Sequence, residues 1–152
     1  MTNQELFDEC VGHVLRQGKP AISSGSPFCY YQTAQGNCCA VGGPLVKRGL
    51  YREEMEFNVI TSGLFTKSDL CLDEGEILLR DALTAWGVKP DQIPLLKQIQ
   101  VAHDEAAKSE PGQDVADDVF ITVFKGKAHL VSIAFELNTL VFDTFNQGEP
   151  AC

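Results

Sequence analysis

A chain of 152 residues, 44% apolar and 22% charged, has the size and composition of one globular domain that buries a core without needing disulfides or a structural metal. A formal net charge of −9 argues against a direct nucleic-acid partner, because gripping a phosphate backbone depends on lysine and arginine displacing counterions. No run approaches the roughly 20 apolar residues of a membrane span, and Met1-Thr2-Asn3-Gln4-Glu5 lacks the basic flank and apolar stretch of a secretory leader. The expectation is a single cytoplasmic domain over residues 1–152.

The first element is the clearest. Thr2 with Glu5 forms a capping box, and Leu6, Phe7, Cys10, Val11, Val14 and Leu15 recur at helical spacing until Gly18 and Pro20. A helix is therefore expected over 3–17. Ser23 to Pro27 reads as loop. Phe28 to Gln32 and Asn37 to Val41 flank an Ala-Gln-Gly turn, the pattern of a short β-hairpin carrying Cys38 and Cys39, with Gly42-Gly43-Pro44 closing it off.

From Leu45 to Leu72 short helices and loops are expected. Asp73 with Glu76 caps another helix, whose stripes Leu79, Leu83, Trp86 and Leu78, Ala82, Ala85 run to a stop at Gly87. Pro90 and Pro94 bracket the start of a further helix with Leu95, Ile99, Ala102 and Ala106 on one face, and Pro111-Gly112 ends it. Phe57, Phe65 and Trp86 read as core.

The last third supports two readings. Val119-Phe120-Ile121-Thr122-Val123-Phe124 is β-rich in composition, which would give a meander with turns at 125–127 and 136–138. Phe120, Phe124, Val131 and Phe135 equally fit a helical stripe, with Gly126 costing about 1 kcal/mol relative to alanine. The fold class expected is α+β, mainly α, with helices packed around the small hairpin.

The order of features carries a resemblance. A capped first helix ending Arg16-Gln17-Gly18-Lys19-Pro20 is followed by Tyr30 or Tyr31, Gly36, and Cys39-Ala40-Val41-Gly42. Tyr51, Met55-Glu56 and Leu96-Lys97-Gln98-Ile99-Gln100-Val101-Ala102-His103-Asp104 come later. Over about residues 4–104 this resembles a family of small uncharacterised bacterial and phage proteins with a Cys-Ala-Val-Gly segment and a later Gln-x-x-His-Asp-like helix. The resemblance implies a phage or mobile-element context and a helical last third, and it transfers no catalytic residue. Gly43-Pro44 departs from the family pattern.

Two functional readings follow. The leading one is a non-enzymatic accessory protein that binds and modulates a host protein with a basic surface, through an acidic, partly aromatic face drawn from Tyr30, Tyr31, Cys38, Cys39, Asp114, Asp117 and Asp118, with Glu53-Glu54 as a second acidic run. The alternative is a papain-like cysteine hydrolase or glutamine deamidase in which Cys39, or Cys38, is the nucleophile, His129 the base and Asp143 its orienting acid. Gln32 or Gln35 would then assist an oxyanion hole. Thiolate and imidazole ligands for zinc exist in Cys10, His13, Cys29 and Cys38 or Cys39, but without a Cys-x-x-Cys pair neither a metal nor a cofactor is expected. Most of the six cysteines are expected as free thiols, and His103-Asp104 as a favourable charge at a helix end.

Overall fold

The computed structural model describes residues 1–23, 28–108 and 114–145. Residues 24–27 of the loop expected from Ser23 to Pro27, the stop at Pro111-Gly112 and Cys152 lie outside the described residues. Among the described residues there are seven α-helices: α1 (Asn3–Gln17), α2 (Gly42–Lys47), α3 (Gly63–Thr66), α4 (Glu74–Trp86), α5 (Ile93–Ala106), α6 (Asp117–Ala134) and α7 (Leu140–Thr144). Short 3-10 turns at Glu53–Met55, Asp69–Cys71 and Pro90–Gln92 link them.

Capping fixes the best-defined elements. In α1 the Thr2 hydroxyl accepts from the Glu5 amide while the Glu5 carboxylate accepts from the Thr2 amide, and Gly18 ends the helix in the left-handed conformation. Asp73 and Glu76 repeat the arrangement on α4, which stops at a left-handed Gly87. Helix α5 lies centrally, packed between α1 and α6. Leu96, Ile99, His103 and Ala106 lie on its buried face, and Phe120 and Phe124 of α6 stack on each other at 6.0 Å against it. Arg48, just after α2, pairs with Glu9 of α1 and lies over the Trp86 ring of α4 at 5.2 Å, tying three helices together at one edge.

Four expectations are corrected. The hairpin is absent: among the described residues there is no strand, and only isolated antiparallel bridges join Ile22 to Cys29 and Gln32 to Cys38. The fold is therefore mainly helical rather than α+β. The physical reason lies in the backbone donors. The Tyr31 and Gln32 amides donate to the Glu56 carboxylate at 2.9 and 3.0 Å, Cys38 donates to Gln17 Oε1 at 2.8 Å, and Val41 donates to Gln100 Oε1 at 3.3 Å. Side chains take the amides that a ladder would have used.

The strand reading of the last third is likewise displaced, because 117–134 is one continuous helix whose inner face carries Phe120, Phe124, Ala128 and Val131. Gly42-Gly43-Pro44 does not close off a hairpin but opens α2, where a proline in the first turn gives up an amide that has no helical partner. Finally, Trp86 is buried and Phe65 partly so, as expected, whereas Phe57 is 62% exposed.

Candidate functional site

The residues nominated as a catalytic set do not come together. Cys39 is buried, and its Sγ accepts from the Gly42 amide at 3.2 Å. His129 sits on the exposed side of α6, and Asp143 is exposed on α7. Of the residues nominated for an interaction face, Tyr31, Cys38 and Cys39 are buried, Tyr30 is half-buried, and Asp114, ahead of α6, and Asp117 and Asp118, in its first turn, are exposed.

A different constellation is assembled. Among the described residues, Cys29, His103 and Asp104 form the one group of potential ligand side chains whose reactive atoms all lie within 4.8 Å of one another. The Asp104 carboxylate is its hub. It accepts from Gln100 Nε2 at 2.7 Å, sits 3.0 Å from His103 Nδ1, and is hydrogen-bonded by the Cys29 thiol. Gln100 faces the other way with its carbonyl, accepting from Val41. The loop before α2 is thus fastened to α5 at both ends.

The tautomer of His103 decides what this group can do. Its ring is fully buried, and the Ala21 amide donates to Nε2 at 3.2 Å. Nε2 therefore carries the lone pair, and Nδ1 carries the proton that it donates to Asp104. Both ring nitrogens are occupied. A metal bound at Nδ1 would move the ring proton to Nε2, directly against the Ala21 N–H, so the imidazole fits poorly as a ligand. The order of groups is also wrong for nucleophilic catalysis. Asp104 stands between thiol and imidazole, and neither nitrogen of His103 is open to take the thiol proton.

The thiols match that conclusion. Burial, followed by the Asp104 charge, pushes Cys29 well above the usual thiol range. Burial raises Cys10 and Cys39 as well, and Cys38 is pushed up to about 11 by burial and then by the Glu56 charge.

A second polar hub holds the other side of the loop. Glu56 accepts from the Tyr31 and Gln32 amides and from the Tyr51 hydroxyl at 2.8 Å, while the Tyr31 hydroxyl donates to the Asn58 carbonyl at 2.7 Å. Gln17 closes the circuit, since its amide both accepts from the Cys38 N–H and donates to the Cys38 carbonyl at 2.9 Å. Tyr31, Val41, Tyr51, Glu56, Gln100, His103 and Asp104 thus meet around one loop.

The chain matches no protein-family model, no curated protein and no solved structure.

The hubs also aim a surface outward. Phe57 lies between Glu56 and Asn58, both of which are pinned, and it takes φ = 66°, a left-handed conformation unfavourable for a bulky side chain. Its ring packs edge-on against Phe28 at 5.9 Å and Tyr30 at 5.4 Å, with Phe28 60% and Val59 64% exposed alongside. Glu53 and Glu54 are exposed in the adjoining turn. Sequence reasoning placed Phe57 in the core; the signal against that was its setting, Glu53-Glu54-Met55-Glu56-Phe57-Asn58, with a single inward residue at Met55.

Proposed function

We propose that this is a non-enzymatic accessory protein, of phage or mobile-element origin, that binds and modulates a host protein through the patch formed by Phe28, Tyr30, Phe57 and Val59 beside Glu53 and Glu54. The observation that carries the reading is Phe57, held in a left-handed conformation with its ring in solvent. A residue strained by about 1–3 kcal/mol persists only where its surroundings over-determine it, and such positions concentrate at functional sites. Exposed aromatics are the residues that dominate binding when a partner covers them. The acidic rim and the net charge of −9 select a partner whose apolar pocket is ringed by lysine or arginine.

The test compares the wild-type chain with Phe57→Ser and with the pair Glu53→Lys, Glu54→Lys in capture from bacterial lysate, followed by titration against the purified candidate. The expected partner is retained by wild type, released by salt, and lost with both variants. Retention of the same proteins by all three chains, or no partner at any salt concentration, counts against the reading.

A further inference from the structure

A cleft of about 510 Å³, open on one side, lies where the segment before α3, the first turns of α5 and the end of α6 meet. That volume falls in the range of small-molecule sites. The lining is of two kinds. Ile93, Pro94, Ala134 and Phe135 supply apolar walls, and buried Ile93 makes them continuous with the core. Thr61, Ser62, Lys97 and Gln98 supply the polar part. Pro94, Lys97 and Gln98 stand three and four residues apart, which sets an apolar wall and two donors on one face of α5.

The charge of this lining is opposite to that of the chain. The protein carries 21 acidic residues against 12 basic ones, yet among the described residues Lys97 is the one charged side chain on the cleft, and no carboxylate lines it. Nor is this lysine neutralised, since it forms no ion pair among the described residues. The other polar side chains are uncommitted too. The hydroxyls of Thr61 and Ser62 and the amide of Gln98 donate to no protein group among the described residues, and Ser62 stands before α3 without capping it.

The helix ends agree with that sign. Ile93 and Pro94 open the 14-residue α5, at the positive end of its dipole. The carboxyl end of α6 borders the same cleft, but its closing turn occupies the carbonyls of Val131, Ser132 and Ile133 with the amides of Phe135, Leu137 and Glu136, so the acceptors there are largely spent.

The two kinds of lining select the occupant. An inorganic anion would leave the apolar walls bare, and a neutral apolar molecule would cover the lysine without pairing it. We infer that the cleft binds a small organic acid, its apolar body against Pro94, Ala134 and Phe135 and its carboxylate accepting from Lys97 Nζ and the neighbouring donors. For a ligand of this size in an open cleft the dissociation constant is on the order of 0.1–1 mM.

Titration of the full chain with naphthoate, followed by amide NMR, tests it. The amides of Ser62, Lys97, Gln98 and Phe135 should shift together and saturate. Naphthalenemethanol, of similar size without the charge, should bind at least about tenfold more weakly, and inorganic phosphate should give no saturable shift at these amides. Lys97→Met, at an exposed position, should abolish the preference for the acid while the rest of the spectrum stays in place, and Lys97→Arg should keep it. Ala134→Phe, also at an exposed position, should exclude both probes. No saturation by about 10 mM naphthoate, equal binding of acid and alcohol, or indifference to Lys97→Met overturns the inference. So do shifts centred on exposed Val119 and Val123 instead of the cleft, and phosphate saturating the same amides as tightly as naphthoate.

Discussion

The backbone amide of Ala21 donates to Nε2 of His103 across 82 positions of sequence, and that one bond fixes the proton on the opposite ring nitrogen, where it serves Asp104. His103→Ala removes the acceptor for Ala21, one donor to Asp104 and the edge contact with Phe120 at 5.4 Å. A loss of about 3 kcal/mol in urea unfolding is expected, and His103→Asn, which retains a donor toward Asp104 alone, should fall between. The same geometry predicts that chelators leave the melting temperature unchanged; a shift on metal addition that disappears with Cys29→Ala would show that the site takes an ion after all.

Thiol burial sets the alkaline limit of stability. Unfolded cysteines ionise near pH 8.5. Cys10, Cys29 and Cys39 are held above that by burial, and Cys38 is raised to about 11. Above about pH 8.5 the unfolded chain releases protons that the native chain keeps, so stability is full below that value and is lost as pH rises toward about 11. Burial also holds His13 below its usual range. Its unfolded form takes up a proton that the native form refuses, so stability also declines as pH falls below about 6.5. Urea midpoints across pH check both limbs, and His13→Gln should flatten the acid one. In the native state at neutral pH, iodoacetamide should label exposed Cys71 well before Cys38 or Cys39; rapid labelling of Cys39 would reopen the nucleophile reading.

Two glycines should respond with opposite sign. A Cβ at Gly42 would lie 1.8 Å from the Tyr31 carbonyl oxygen, a backbone atom with no room to retreat. Gly42→Ala should cost about 3 kcal/mol or more. Gly126→Ala meets open space and should stabilise the fold by up to about 1 kcal/mol.

Phe57→Asn separates display from packing. Asparagine tolerates φ = 66° better than phenylalanine does. Unfolding stability should be unchanged or raised by up to about 1 kcal/mol, with partner capture lost. A clear loss of stability would make Phe57 a packing residue and remove the main support for the binding patch.

The elements most legible in the sequence were those closed by local chemistry. Thr2 with Glu5 and Asp73 with Glu76 start helices, and Gly18 and Gly87 end them, through contacts a few residues apart. Helix α6 was obscured because Phe120, Phe124 and Val131 on one face and Val119, Val123 and Leu130 on another fill both periods at once. The hairpin misled for a long-range reason: the amides of Tyr31 and Gln32 are claimed by Glu56, which no local window weighs. The cluster around Asp104 left one trace. His103 falls in the stripe Leu96, Ile99, His103, Ala106, where a polar residue at a core position demands buried partners, and reading it as a helix-end charge passed over that demand.

The fastening of the loop before α2 to α5 has a consequence for how the protein is made. Ala21, Cys29 and Val41 leave the ribosome early, but their partners His103, Asp104 and Gln100 are translated some sixty to eighty residues later. At about 5–20 residues per second this segment waits several seconds or more for its template. During that interval α1 can form on its own capping box, while the thiols of Cys29, Cys38 and Cys39 stay open to solvent and oxidant. Until α5 emerges, those thiols therefore lack the burial that keeps them protonated in the native state.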